Sequence, residues 1–559
     1  MIPALRRVRF TFVLFMAIVL AFAIAVPQAS AQGLPAYCDA GSTYAPDVAT
    51  LIAAMTLAAG TVANETICLT QDGLYILATV NNTDPIGPGA TGLPRILPAT
   101  GTLTIDGNNA TITRDANALD FRHFLVVTNA RLTLNDLTLS NGRADNGGSV
   151  VNGGTLILNR VRVIDNTATG VSGGDNGDGG GLITLGGTVA INDSTFSGNT
   201  ALDDGGAIYN YLATTTVTGS TLSGNTATND RGGAINNLDA TLVVTNSTIS
   251  GNSAGSDGGG VRSFGASTAS FTNATFTGND AANGGGLYLS GTTTNLYNTL
   301  VIGNTADSAG AEDCATFVLT NSSSNLSGAG TGCGPGGFTT AASAASVLDP
   351  ALADNGGLTE THALLPGSPA INAGGNGVVS QGTDQRGAGF PRIVDTTVDI
   401  GAFEATPAIV AIQLALQGRP AAPNDQWMTT VHLRLYLPGG ATPFYDETFT
   451  ADANGQIAVP LMTTGIYDMV VKGTHSLARR IDGVVLNAGA NNLSPATLLE
   501  GDATDDNLVN ISDFSVLAAA FGTNEGGGGF NAQADFNDDA VVNISDFSLL
   551  AANFLLSGE

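Results

Sequence analysis

The sequence predicts a mainly β chain built around a parallel β-solenoid, with a small β-sandwich and a short helical unit after it. Three observations carry that reading. A motif recurs about every 26 residues through the middle of the chain, as coil-by-coil architectures require. Within each unit apolar and polar residues alternate with period 2, as in TLVVTNSTIS at 241–250, which is strand patterning rather than helix. The chain carries 74 glycines beside a 43% hydrophobic fraction and only 12% charged residues. That mixture suits short strands joined by tight turns and excludes disorder from low hydrophobicity.

Taken in chain order, residues 1–31 read as an export signal. Arg6, Arg7 and Arg9 precede an apolar run over 10–26, and Ala29, Ser30 and Ala31 offer a small-x-small cleavage site. No other stretch is apolar enough over a sufficient length to span a bilayer, so the mature chain is expected outside the cell or at its surface. Four cysteines then remain, an even number in an oxidising compartment. Of the three possible connectivities, the two local pairs Cys38–Cys68 and Cys314–Cys333 are favoured, because each closes a modest loop at one edge of the repeats. Residues 45–59 have helical spacing and suit a cap over the open solenoid end, which otherwise exposes unpaired strand edges. LTIDG at 103–107 and LTLNDLTL at 132–139 read as early coils.

The repeat itself places an apolar residue three positions before an asparagine: VIDN 163–166, FSGN 196–199, LSGN 222–225, ISGN 249–252, FTGN 276–279 and VIGN 301–304. A glycine pair recurs in phase, GGAI 205–208, GGAI 232–235, GGGV 258–261 and GGGL 284–287. Asparagines at a fixed turn position are expected to stack as a ladder, each amide bonding the next coil, while the glycines supply positive φ. The wider step from Asn166 to Asn199 implies an insertion, with 170–181 as a glycine-rich loop.

The 19 basic against 47 acidic residues give a net charge of −28, and Lys472 is the one lysine. Such a surface repels phosphate backbones and anionic membranes, so nucleic acid is excluded as a partner. The four histidines are far apart, and no zinc, P-loop or GxSxG pattern exists.

The paired FxxN and GGA(I/V/L) motifs resemble the repeats of polymorphic outer-membrane proteins. The stretch from Asp349 is similar to bacterial surface proteins of the choice-of-anchor Q type, in ADNGG 353–357, HALLPGSPAI 362–371, DQRG 384–387 and DIGAFE 399–404. The CSLREA-like start of some relatives is absent. The resemblance implies a right-handed parallel β-helix over 32–405 on a secreted or surface protein. It implies no settled activity.

Adjacent coils lie about 4.8 Å apart, so residues at one coil position form a column. The position before the glycine pair reads Asn146, Asp178, Asp204, Arg231, Asp257, Asn283, flanked by Asp203 and Asp230. Two carboxylates about an arginine suit acid/base hydrolysis or β-elimination of a polysaccharide, making Asp204, Arg231 and Asp257 the catalytic candidates. The plainer reading, and the favoured one, is that Arg231 neutralises Asp204 and Asp257 across coils while Asp and Asn form turns. His362 and the Asp384/Arg386 pair are expected to close the C-terminal end of the helix by buried bonding.

From 406 to 499 the repeat stops and glycine thins. Segments 430–436, 444–449, 456–461 and 467–471 read as strands of a small β-sandwich, and GIYD 465–468 resembles carboxypeptidase-regulatory-like domains. Residues 500–559 hold the strongest chemistry. VNISDFS recurs at 509–515 and 542–548, each copy ending an Asp-rich loop. Asp535, Asn537, Asp539, Val541 (carbonyl), Asn543 and Asp546 occupy positions 1, 3, 5, 7, 9 and 12 of an EF-hand-like loop. Asp502, Thr504, Asp506, Leu508 (carbonyl), Asn510 and Asp513 do so in the first copy. Six or more oxygens at that spacing suit calcium, and Thr504 predicts a weaker first site. Helices are expected at 514–521 and 547–554.

Position 6 lacks glycine, position 12 is Asp rather than Glu, and no helix leads in. The segment instead resembles a type I dockerin, which implies two Ca²⁺ ions and a cohesin-domain partner. The resemblance carries partner recognition to Ile511/Ser512 and Ile544/Ser545, and the identical pairs imply two pseudo-symmetric docking modes. The sequence thus points to an exported calcium-binding surface or assembly protein whose β-helix serves adhesion or glycan or protein recognition. The alternative is a dockerin-borne glycoside hydrolase or polysaccharide lyase.

Overall fold

The computed structural model describes residues 34–59, 61–83, 89–98, 101–170, 177–291, 293–316, 319–328, 331–333, 336–341, 343–394, 396–487, 489–495 and 497–559. The export-signal segment and residues 171–176 of the glycine-rich loop lie outside them.

The repeats wind into a solenoid of about ten turns, whose strands collect, almost all parallel, into sheets of 18, 10 and 8 strands. Register follows the sequence period. Phe196, Leu222, Ile249, Phe276 and Val301 lie side by side on successive coils, and all are fully buried. A second inward column runs Ile208, Ile235, Val261, Leu287 and Cys314. Each such side chain contributes on the order of 2 kcal/mol of burial, and each coil depends on its neighbours to supply the other side of the contact.

The asparagine ladder is present. Asn166, Asn199, Asn225, Asn252 and Asn279 each donate Nδ2 to Oδ1 of the next asparagine at 2.8–3.0 Å. The series ends when Asn304 donates to Asp313 at 2.9 Å, an acceptor-only terminus whose carboxyl burial pushes up. The glycine pairs divide their work. Gly232 takes φ +68°, whereas a Cβ on Gly233 would overlap the backbone carbonyl of Gly259 on the next coil.

The cap is a helix, α1 (Val48–Ala58), started by Asp47, whose side chain accepts from Thr50 N at 2.8 Å. Its Leu51 and Met55 are buried in the solenoid core. Disulfides Cys38–Cys68 and Cys314–Cys333 both form.

Residues 349–404 correct one expectation. They do not close the C-terminal end but turn back as an irregular strap along the side of the coils. Glu360 O accepts from Thr221 Oγ1 (2.6 Å), Gln385 Oε1 from Thr248 Oγ1 (2.6 Å), and Thr275 Oγ1 from Ala402 N (2.9 Å). These threonines hold equivalent places on three successive coils. His362 bonds Ser250 Oγ at 2.8 Å and Asp349 O at 2.8 Å. Arg386 pairs with Asp384 at 2.7 Å in full burial, its guanidinium lying over Phe403 and Phe390.

Beyond the strap, Pro407–Gln413, Gln456–Thr463 and Gly489–Leu493 form one sheet. Thr430–Tyr436, Tyr445–Thr450, Gly465–Gly473 and Arg479–Leu486 form another. Ile412 and Ile457 of the first share a core with Val431, Leu433 and Met469 of the second. Two further helices, α2 (Ile511–Ala520) and α3 (Ile544–Asn553), complete the chain. They begin three residues earlier than expected, because Asn510 and Asn543 act as N-caps: their Oδ1 atoms accept Ser512 N (2.6 Å) and Ser545 N (2.7 Å). No helix among the described residues is long and apolar enough to cross a membrane.

Candidate functional site

The two Asp-rich loops fold alike. Asp502 accepts from Asp506 N (3.0 Å) and Asn507 N (2.9 Å), and Asp535 from Asp539 N (3.1 Å) and Ala540 N (2.8 Å). Asp513 and Asp546 reach back to Asn510 N and Asn543 N at 2.7 and 2.8 Å, completing capping boxes with the N-cap asparagines. Position 6, where glycine is usual, is filled by Asn507 (φ +63°) and Ala540 (φ +66°) in the left-handed region. Asn tolerates that region and Ala is strained in it.

Carboxylate oxygens of Asp502, Asp506 and Asp513 all lie within 4.8 Å of one another, and Thr504 Oγ1 donates to Asp513 at 2.9 Å. The gathered atoms are oxygens only, the donor set a hard divalent cation takes. In the second loop Asn537 Nδ2 donates to Asp539 at 2.9 Å. Burial pushes Asp535 up to about 6 and raises Asp546 as well, as expected of carboxylates drawn together without a compensating charge. Leu508 O and Val541 O accept weakly from Asn510 and Asn543 Nδ2, at 3.4 and 3.2 Å.

The two helices pack against each other through matching residues. Leu517 and Leu550 are buried with Val509, Val542 and Phe536, and Phe514 meets Phe547 edge to face at 6.3 Å. Ile511 and Ile544 are each 64% exposed, with Ser512 and Ser545 beside them in solvent. Matching residues from the two copies thus stand on the surface without neighbours covering them.

Spacing alone did not reveal how the preceding sheets grip this unit. Lys472 Nζ donates to Asp502 Oδ2 (2.7 Å) and Ser476 O (2.8 Å) and pairs with Asp505 at 3.0 Å. Arg419, buried, pairs with Asp538 at 2.6 Å and with Glu500 at 3.8 Å. Burial pushes Glu500 up to about 8, Arg419 opposing the shift. Between the sheets and the first loop lies an open groove of about 700 Å³, with His432, Arg434 and Lys472 facing Asp505, Asp506 and Glu559.

On the solenoid the expected column exists, but its bonding differs. Asp204 N–H bonds Asp178 Oδ1 (3.2 Å), and Asp204 Oδ1 in turn accepts Arg231 N at 3.0 Å. The Arg231 guanidinium pairs with its own neighbour Asp230 at 3.0 Å rather than with Asp204 or Asp257, and Asp257 accepts instead from Asn283 at 3.1 Å. A residue the sequence reading omitted, Arg262, is buried behind Asp204. It lies 4.4 Å over Phe264 and bonds Asn236 at 3.2 Å, and Asn236 bonds Asp204 Oδ2 at 2.8 Å. Burial, with Asp230 adding to it, pushes Asp204 up to about 6. A groove of about 400 Å³ lies elsewhere, where the strap ends beside earlier coils, lined by Asp136, Arg160, Arg162, Asp193 and Glu360.

Residues 193–211 match the Chlamydia polymorphic membrane protein repeat. That span lies within one coil and holds its FSGN and GGAI motifs together. No curated protein matches the chain. Two solved structures from Acetivibrio cellulolyticus, a C-terminal and an N-terminal interface mutant of a type II cohesin–X–dockerin complex, are 19% identical. Each match covers 27% of this chain and 97% of that one, with TM-scores of 0.24 and 0.23.

Proposed function

We propose that this is an exported surface or assembly protein whose β-solenoid is a recognition scaffold and whose residues 500–559 are a calcium-dependent, dockerin-like plug for a cohesin-domain partner. The observation that carries the reading is the duplicated loop-plus-helix, which exposes the same Ile-Ser pair in both copies. Asp502, Asp506 and Asp513, with Asp535, Asp539 and Asp546 in the second loop, would hold calcium; Asn510 and Asn543 serve as helix caps beside them. Bound calcium would neutralise each loop and fix the angle at which its helix leaves it.

The surface or adhesin-like character of the solenoid rests on its polymorphic-membrane-protein-like repeat, on two disulfides, and on a strap that covers one flank of consecutive coils. The enzymatic alternative has one observation in its favour, the raised Asp204 carboxyl. Both oxygens of that carboxyl are nevertheless engaged by the next coil, through Arg231 N and Asn236 Nδ2, and the Arg231 guanidinium is paired with Asp230. Binding to cohesin domains should survive Ile511→Asp with Ser512→Asp, survive the same change at Ile544 and Ser545, and be lost when both pairs change. A large loss from one pair alone would refute the two-mode docking.

A further inference from the structure

Positions 505 and 538, fourth in their loops, are Asp in both copies and take φ +59° and +47°. Neither belongs to the oxygen set expected of the loops, yet each pairs with a cation from the preceding residues 406–499: Asp505 with Lys472, Asp538 with Arg419. The clamps are not equivalent. Arg419 meets loop two at Asp538 (2.6 Å) and has Glu500 as its other acidic neighbour, at 3.8 Å. Lys472 goes further into loop one and bonds Asp502 Oδ2, the carboxylate at position 1. Its three N–H groups meet three acceptors, Asp502, Asp505 and Ser476 O, which saturates an ammonium. Asp502 is wholly buried. Its counterpart Asp535 is held by backbone donors, and no cation among the described residues pairs with it.

We infer that Lys472 is a resident counter-cation of loop one, so that the two loops answer calcium differently: loop one keeps its shape without metal and binds calcium weakly, while loop two needs the metal. The inference rests on the calcium reading above. The physical ground is that a fixed ammonium on a position-1 carboxylate supplies part of the neutralisation a divalent ion would supply, and opposes that ion's charge. Thr504 in place of an acid or amide acts in the same direction.

The test uses the full mature chain stripped with chelator and titrated with calcium by calorimetry. Asp506→Asn and Asp539→Asn assign each step to its loop, and hydrogen exchange is read on the metal-free protein. The wild type should show two steps at least tenfold apart, the weaker in loop one. Without metal, amides of 502–513 should be protected and those of 535–546 not. Lys472→Gln should tighten the loop-one step about tenfold and abolish that protection, while Lys472→Arg should keep the wild-type pattern. Two equal steps, a weaker step in loop two, or a Lys472→Gln titration that is unchanged or weakened would overturn the proposal alone. No calcium uptake by any form would overturn the calcium reading and this inference with it.

Discussion

Replacing Asn252 with alanine removes the middle rung of the ladder, and its cost follows from the bonds lost. The side chain accepts Asn225 N and Asn225 Nδ2, both at 2.9 Å, and donates to Asn279 Oδ1 (2.9 Å), Leu222 O (3.0 Å) and Ser250 O (3.2 Å). Asn225 Nδ2 retains Phe196 O, but Asn225 N is left buried with no acceptor. One orphaned buried donor costs about 1–3 kcal/mol, and the weakened acceptors and vacated space add to it, for a total of about 4 kcal/mol. The chain has several folding units, so one global transition is the wrong readout. The single tryptophan, Trp427, sits among the later sheets and is blind to the solenoid. Native-state hydrogen exchange of amides in the 196–304 coils is the suitable assay. Protection there should fall by about three orders of magnitude, and Asn225→Ala should cost the same, since each coil senses only its neighbours. A loss below 1 kcal/mol, or a loss confined to one coil, would refute the ladder as a stabilising device.

Three further outcomes follow from the structure. The folded pKa of Asp204, about 6 against an unfolded value near 3.8, means the fold prefers the protonated acid. Its contribution is therefore present below pH 4 and lost as pH rises through 6, about 3 kcal/mol in all; Asp204→Asn should remove that share of the slope in solenoid stability against pH, and an unchanged slope would count against the assignment. Ala540→Gly should stabilise the second loop by about 0.5–1 kcal/mol by relieving the left-handed alanine, whereas Asn507→Gly should be near neutral, both read by exchange protection of α3 and α2. Arg419→Met should destabilise residues 500–559 by about 2 kcal/mol, since it leaves the partly buried Asp538 carboxylate without its cation, and exchange in α3 should report it.

Local and periodic features were legible in the sequence. The step between Asn199 and Asn225 already places two amides within reach, so the coil, the ladder and the inward columns could be read from spacing. The duplicated VNISDFS likewise fixed two loops and two helices. The helices start three residues before the apolar spacing places them, because the side chains of Asn510 and Asn543 accept from Ser512 N and Ser545 N and so cap the first turns. Arg231 was expected to bridge coils, but Asp230 is adjacent in the chain and needs no ordering of a long side chain to reach it. The strap was illegible for another reason: it is held by hydroxyls of Thr221, Thr248 and Thr275, more than a hundred residues away in sequence, and it has no period of its own. The same holds for Lys472, whose place against Asp502 depends on how two folded units meet.

The most direct test of the account is the binding of the intact mature chain to a panel of cohesin domains, measured by calorimetry with calcium and again with chelator. The account predicts one-to-one binding to at least one cohesin with calcium present, and binding at least tenfold weaker after chelation. Equal binding in chelator, or no binding to any cohesin while calcium is demonstrably bound, would contradict it.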